Sequence, residues 1–517
     1  MGYRRYSYLG LPVLVVMLLV LAHAGVAAAV RDHQARSCVN LAALRLADTT
    51  ITGATVVPAT RSAPAHCTVR LTVTNPPATD LITVAVWLPA GNWNGRFQGL
   101  GGSGFTGGLR TDTPDAELRA GYAVATTDTG HPGDSGSFAL GAGGAQRVTD
   151  FGHLGIHRMT VAAKAVVSAY YGRTTFRSYF SGCSTGGRQG LMEAQRYPAD
   201  YDGIAAASPA INWTKFHPAQ LWGQLQMLIS GHRVAPCVLT AATDAAIAAC
   251  DPADGLTDGI IGDWEGCRFD ARTLIGTVTP CGAVTAADAR LINAIWDGPR
   301  DSNGARLWYG LERDASLGPL HDTEPFFITV EWLRYFVAQN PGWDWRTLTY
   351  DRYLRLFDQS VQRYRDVLAT DDPDLSAFRD AGGKVVIWHG TADPVVMFRG
   401  SVDYHRRLTN AMGGADRTAA FARFFVAPGV AHCGGGQGAT PTAVLDAVVR
   451  WVESGDAPTH LRGERTDSAG RTLLTRPVCP YPQVAMLTGR GPVTDQRSFT
   501  CAGTPTGTPA ERARNPR

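Results

Sequence analysis

At 517 residues the chain is too long for one average domain and suits two or three. A hydrophobic fraction of 44% supplies a large core and excludes disorder over most of the length. The formal net charge is only +3 with no long basic run, which argues against nucleic acid as the main partner. The first stretch is a targeting segment: Arg4 and Arg5 are basic, Leu9 to Ala22 is almost entirely aliphatic, and Ala27-Ala28-Ala29 offers a small-x-small cleavage site. Residues 1–29 therefore read as a secretory signal peptide. An uncleaved membrane anchor is the rival reading, since the apolar run to Val30 is almost long enough to span; His23 and the alanine-rich end favour cleavage. No later stretch is apolar enough to cross a bilayer, so a secreted mature protein with no membrane attachment is expected. The 10 cysteines agree, because an even number in an oxidising compartment defaults to disulfides. The chain has no Cys-x-x-Cys, which argues against zinc or a redox dithiol.

In chain order, Leu81 to Leu88 alternates like a strand. Trp93-Asn94-Gly95-Arg96-Phe97-Gln98 follows, then a glycine run from Gly99 to Gly108. That run lacks the helix of a dinucleotide fingerprint and the lysine of a phosphate loop. Its place, at a strand end upstream of a nucleophile, fits an oxyanion donor, and a flexible loop is the plainer alternative. Tyr122 to Asp128 reads as a further strand, and His153 to Tyr171 carries apolar residues at helical spacing up to Gly172. Tyr179 and Phe180 then lead into Gly182-Cys183-Ser184-Thr185-Gly186-Gly187-Arg188 and the helix-forming Gln189 to Arg196. A strand, a serine between glycines and a helix make the nucleophile elbow of α/β-hydrolases. Ile204 to Ala207 is a short buried strand, so the rhythm so far implies a mostly parallel sheet with helices on its faces. The rhythm breaks from about Asn212 to about Ala381, a tryptophan-rich stretch with helical patterns, and returns at Lys384 to Gly390 and at Phe421 to Val426, with a helix from Thr442 to Ser454. The expected organisation is α/β: an α/β-hydrolase core over residues 30–212 and 381–475, a large inserted lid domain over 213–380, and a tail over 476–517.

The returning strands supply partners for the serine. Asp393 lies just past the strand ending at Gly390, and His432 lies in the glycine-rich loop after the next strand. The order Ser, Asp, His is that of the hydrolase fold. Ser184 would attack a carbonyl carbon, His432 would take its proton and return it to the leaving alcohol, and Asp393 would hold the imidazole in the right tautomer. The N–H of Thr185 and one from the glycine run, Gly104 above all, would receive the oxyanion. If these side chains meet, Cys183 and Cys433 come within bonding reach. A further cluster, Cys250-Asp251-Pro252-Ala253-Asp254-Gly255-Leu256-Thr257-Asp258-Gly259-Ile260-Ile261, sets acids on a glycine-bent loop between Cys250 and Cys267, which could staple it. Its oxygens suit Ca2+, with the Leu256 and Ile260 carbonyls completing the shell. The spacing is not that of an EF-hand, and plain Asp-Gly turns remain the other reading.

Trp93 to Phe97 with the glycine run, Gly182 to Gly190, Tyr201-Asp202-Gly203-Ile204, the Asp251 to Ile261 loop, His389-Gly390-Thr391-Ala392-Asp393 and Pro428 to Cys433 together resemble the tannase/feruloyl esterase family, which includes mono(hydroxyethyl) terephthalate hydrolases. The resemblance covers nearly all of the mature chain. It implies an α/β-hydrolase core with an inserted lid, a bridge between Cys183 and Cys433, and a structural calcium held by Asp251, Asp254 and Asp258 side chains and the Leu256 and Ile260 carbonyls. By position in the family pattern it pairs Cys38 with Cys67, Cys250 with Cys267 and Cys479 with Cys501. The family often has a close cysteine pair after the calcium loop; only Cys281 is present there, and Cys237 is taken as its partner. Ser103 stands where the family's glycine run has a glycine, so the identity of the oxyanion glycine is open. The resemblance implies a small-molecule aromatic ester substrate of the feruloyl or galloyl type. A lipase or peptidase on the same triad, and an inactive surface- or carbohydrate-binding module, are the alternatives.

Overall fold

The computed structural model describes residues 36–109, 112–321, 324–489 and 491–503; the expected signal segment lies outside them. Its main sheet has 12 strands. They are β1 (Thr49–Val57), β2 (His66–Val73), β3 (Ile82–Pro89), β4 (Arg96–Leu100), β5 (Ala123–Thr127), β6 (Arg177–Cys183), β7 (Gly203–Ala207), β8 (Lys384–Gly390), β9 (Ala422–Ala427), β10 (Thr440–Pro441), β11 (Leu461–Thr466) and β12 (Thr472–Pro480). The spatial order is β1-β2-β3-β5-β4-β6-β7-β8-β9-β12-β11-β10. The block from β5 to β9 is parallel throughout. β7, β8 and β9 of that block are short, largely apolar runs, as strands covered on both faces require.

The expectation of a mostly parallel sheet holds for that central block only. β1, β2 and β3 pair antiparallel on one side, and β12, β11 and β10 do so on the other. The outer strands escape a sequence reading because their patterns are poorly hydrophobic: β1 buries none of its residues fully and β11 reads Leu-Arg-Gly-Glu-Arg-Thr. Residue 476, read as the start of a tail, lies inside β12, where Arg476 pairs with Gly463.

The helices that matter to the site are α1 (Gly155–Tyr171), α2 (Thr185–Arg196), α3 (Trp213–Gln220), α4 (Trp222–Ser230), α5 (Pro236–Cys250), α6 (Ala286–Asp297), α7 (Tyr350–Leu368), α8 (Phe398–Ala411) and α9 (Val444–Ser454). Alternation along the central strands sorts them onto two faces. Phe180, Ile204, Val385 and Ile387 pack with α1, α2 and α8, whereas Tyr179, Ala205, Val386 and Trp388 pack with α9. Between β7 and β8 the chain is helical apart from a two-residue hairpin pair, Val278–Thr279 with Gly282–Ala283. This inserted segment has its own apolar core, built on Trp213, Trp222, Trp296, Trp308, Trp332 and Trp345, and Phe105, Phe138 and Phe151 of the first half join it. Most of the segment's tryptophans are therefore packing residues.

Candidate active site

Ser184 sits at the turn from β6 into α2 with φ 61° and ψ −121°. A non-glycine residue in that region costs of order 1–3 kcal/mol and persists only where the surroundings enforce it. Here the enforcement is close packing of backbone on backbone. A Cβ on Gly182 would lie 2.6 Å from the Gly186 carbonyl carbon, and one on Gly101 would lie 2.4 Å from Gly186 Cα. Only glycines let the elbow and the loop after β4 approach so closely. The turn is tied by Ser184 N–H donating to Ala207 O at 3.0 Å and Gly186 N–H donating to Gly102 O at 2.9 Å.

The loop after β4 is held amide by amide. Gly101 N–H donates to Ser181 O, Gly102 N–H to Gln189 Oε1, Ser103 N–H to Thr106 Oγ1, Phe105 N–H to Asp134 Oδ1 and Thr106 N–H to Ser103 O. Among the described residues, Gly104 N–H is left without an acceptor, as is Thr185 N–H at the first position of α2. The Thr185 hydroxyl donates to Gly104 O at 2.6 Å and so fixes the Gly104 peptide beside the serine. That carbonyl and the Phe105 N–H of the same peptide are thus both occupied, and the preceding peptide leaves the Gly104 N–H open to a ligand.

Asp393 is fully buried, and all of its acceptor positions face donors. Oδ1 accepts from Val395 N–H at 2.8 Å and Val396 N–H at 2.9 Å. Oδ2 receives His432 Nδ1 at 2.7 Å and His389 Nε2 at 3.0 Å. Burial pushes the carboxyl pKa up, but the charge of His432 and the hydrogen bonds from His389 and His432 outweigh it and hold the group well below the usual carboxylate range. His432 keeps 20% of its side chain exposed, and Ser184 shares a cavity wall with it. Among the described residues no hydrogen bond joins Ser184 Oγ to the imidazole in this arrangement. What brings the two loops together is the Cys183–Cys433 bridge, with a Cα–Cα distance of 5.9 Å, and Cys433 N–H donating to Ser208 Oγ at 3.4 Å. His389 was read from sequence as a strand residue; only the bend after β8 turns it onto Asp393.

The cavity is about 410 Å3 and is walled by Gly104, Thr185, Ser184 and His432 at one end and by Trp213, Phe216, Phe326, Phe327, Ile328, Val395 and Val396 elsewhere. Phe326 and Phe327 are 40% and 45% exposed, at its mouth. Polar side chains of Ser103, Asp134 and His217 also line it. Burial raises the Asp134 carboxyl and lowers His217 to about 3, so that imidazole is neutral. No lysine or arginine stands among the described lining residues.

The remaining four expected bridges are also present: Cys38–Cys67, Cys237–Cys281, Cys250–Cys267 and Cys479–Cys501. In the Asp251–Ile261 loop each carboxylate is held by amides of the loop itself. Asp251 accepts from Asp258 N–H at 3.3 Å and Gly259 N–H at 2.9 Å, Asp254 from Leu256 N–H at 2.9 Å, and Asp258 from Ile260 N–H at 3.2 Å. Burial, helped by the charges of Asp258 and Asp251, pushes Asp254 up to about 6. The donor type, carboxylates on one loop, is the hard-oxygen kind calcium takes, but the Asp251, Asp254 and Asp258 ligand atoms are not gathered within 4.8 Å of one another and Arg476 already reaches Asp258 at 2.8 Å. A second group, His157, Glu193 and Asp200, places its ligand atoms within 4.8 Å of one another behind α2. There Lys164 donates to the Asp200 carbonyl and brings a positive charge of its own.

A glycine-locked serine between a parallel strand and a helix, with an aspartate after β8 and a histidine after β9, the last two strands of the block, defines the chain as an α/β-hydrolase. It belongs to the tannase and feruloyl esterase family, whose model matches residues 67–502. The chain is 38% identical over 459 residues to a probable feruloyl esterase of Arthroderma benhamiae, covering 84% of this chain and 85% of that one. It is 32% identical over 442 residues to feruloyl esterase B of Aspergillus niger, covering 80% and 82%. Its fold matches the crystal structure of feruloyl esterase B from Aspergillus oryzae with a TM-score of 0.79 at 28% identity, over 90% of this chain and 99% of that one. The protein is thus a carboxylic ester hydrolase whose substrate is a small-molecule ester.

Proposed function

We propose that the protein is an exported serine esterase that cleaves esters of aromatic, phenolic acids through an acyl-enzyme. Ser184 is the nucleophile, His432 the general base and then the general acid, and Asp393 the group that fixes and stabilises the imidazolium. The free N–H groups of Gly104 and Thr185 take the oxyanion, the latter reinforced by the N-terminus of α2. The observation that carries this reading is the Asp393–His432 bond at 2.7 Å, held at a cavity wall shared with Ser184 by the bridge between their neighbours. An aromatic acyl group is favoured because the cavity is apolar and aromatic, and an acid bearing a second, free carboxylate is disfavoured because no lysine or arginine stands among the described lining residues. The segment over 213–380 acts as the lid, supplying Trp213, Phe216, Phe326 and Phe327 to the substrate.

Asp251, Asp254 and Asp258 with the Leu256 and Ile260 carbonyls would hold a structural calcium, which ties the loop after α5 into one shape and takes no part in the chemistry. Export is supported by the signal-like first 29 residues and by all ten cysteines being bridged. Among the described residues no helix is long and apolar enough to cross a membrane.

The test is to offer methyl ferulate, methyl gallate, a terephthalate monoester, a long-chain ester and a peptide amide to the wild type and to Ser184→Ala. Hydrolysis of the phenolic esters in preference, lost by at least ~10⁴-fold in the variant, is expected. Preference for the long-chain ester or the amide would overturn the substrate assignment, and an unimpaired Ser184→Ala would overturn the nucleophile.

A further inference from the structure

A fully buried second imidazole stands behind the aspartate. His389, at the penultimate position of β8, is 0% exposed, with Nε2 at 3.0 Å from Asp393 Oδ2 and Nδ1 at 2.8 Å from Ser401 Oγ on α8. The carboxylate can only accept, so Nε2 carries the hydrogen and donates it. Nδ1 is paired with the Ser401 hydroxyl, which anchors the ring to α8. Oδ2 therefore serves two imidazoles, while Oδ1 is taken by the Val395 and Val396 amides. Four donors saturate a buried carboxylate, and the share of its charge that His432 meets depends on how many others draw on it.

We propose that His389 is a positioning residue that sets the basicity of His432: by donating to Asp393 it withdraws part of the aspartate's charge and keeps Oδ2 aimed at His432 Nδ1. This rests on the roles of Asp393 and His432 given above. Without that donor, Asp393 would stabilise the His432 imidazolium more strongly, and the imidazole would hold its proton to higher pH. The other ionisable groups brought near by neighbouring elements are Asp314, which accepts from the Thr391 hydroxyl, and the Arg399–Glu312 pair, which joins α8 to the inserted segment. Phe398, edge-on to His389 at 5.7 Å, is apolar. Burial pushes Asp314 up to about 7, so Asp314 titrates in the same range and is controlled for.

The experiment compares wild type, His389→Leu and His389→Gln, each also in an Asp314→Asn background. The His432 pKa is read by NMR on histidine-labelled full chain, assigned by difference with His432→Ala, and the pH profile of kcat/KM is taken on methyl ferulate. His389→Leu is expected to raise the His432 pKa, and the acid limb of kcat/KM with it, by roughly one pH unit. His389→Gln, whose amide N–H can reach Asp393, is expected to keep the wild-type value, and neither result should depend on Asp314. An unmoved His432 pKa in His389→Leu would show that the residue only packs, and an equal shift in His389→Gln would show that the N–H is not the cause; either overturns the proposal. Should His389→Leu fail to fold, His389→Asn, whose amide is too short to reach, takes its place with the same expectation. If the wild type cleaves no ester, the functional reading fails, and the NMR titration still decides the role of His389.

Discussion

Gly104 carries the sharpest test at the scale of a single residue. Its φ is +54°, and a Cβ there would lie 2.6 Å from Asp134 Oδ1. Asp134 cannot easily withdraw, because it holds Phe105 N–H. A side chain would therefore turn the peptide and move the Gly104 amide, which stands in the cavity wall without an acceptor among the described residues. Gly104→Val is expected to lower kcat by roughly 10²–10³-fold, the usual cost of one lost oxyanion donor, with a far smaller change in KM. Steady-state kinetics on methyl ferulate measure this; a change in KM alone would place Gly104 in substrate binding instead. Ser184, Asp393 and His432 were legible in the sequence because each lies in a loop just after a strand of the central block, and the order of those strands sets where the loops converge. His389 was not legible, since nothing in Val386-Ile387-Trp388-His389-Gly390 distinguishes a strand histidine that faces core from one that faces a carboxylate four residues later. Gln189 was equally hidden: it looked like a helix former, yet its amide group accepts from Gly102 N–H and donates to Gly107 O, which shapes the whole glycine loop.

At the scale of elements, β5, β7, β8 and β9 of the parallel block announced themselves by apolar runs and β4, Arg-Phe-Gln-Gly-Leu, did not, nor did the outer β1, β2, β10, β11 and β12. Those outer strands are half solvated, and polar or charged residues on the open face dilute the signal that pairing alone later supplies. The Asp251–Ile261 loop shows the same division. Its composition marks it as an oxygen-rich turn, but whether the carboxylates converge depends on the Cys250–Cys267 bridge and on Arg476 arriving from β12. If a calcium ion sits there, it binds the folded chain and not the unfolded one, and stability then rises with its free concentration, by about 4 kcal/mol at a thousand times Kd. Treatment with EGTA is expected to lower Tm, calcium to restore it and magnesium to fail at the same concentration, because magnesium demands a tighter octahedral shell and gives up water reluctantly. Asp254→Asn should abolish the calcium-dependent part of Tm. A melting curve indifferent to EGTA would remove the ion from the account and leave the loop as a set of Asp-Gly turns.

The whole molecule is a hydrolase core interrupted once, and the interruption raises a problem of alignment. Ser184 precedes the inserted segment and His432 follows it, so the reacting atoms belong to two stretches of chain separated by a separately packed helical layer. Parallel pairing of β7 with β8 fixes the two halves at the level of the sheet. The loops above the sheet have less to hold them, and the Cys183–Cys433 bridge, spanning 250 residues, couples them directly. In the chain-entropy view, closing a loop of that length stabilises the fold by on the order of 5 kcal/mol, a contribution that any bridge of similar span would make. Alignment is the part specific to this one, since it joins the immediate neighbours of Ser184 and His432, the proposed nucleophile and base. The two roles separate in the double variant Cys183→Ser, Cys433→Ser assayed well below its own Tm. Loss of stability alone would lower Tm and leave kcat/KM per folded molecule unchanged. Alignment predicts a fall in kcat of at least tenfold even where the protein is fully folded, because a displacement of about 1 Å between reacting groups costs up to about 10²-fold in rate. The same comparison with Cys479→Ser, Cys501→Ser, a bridge remote from the cavity, should show a shift in Tm with no such loss of kcat.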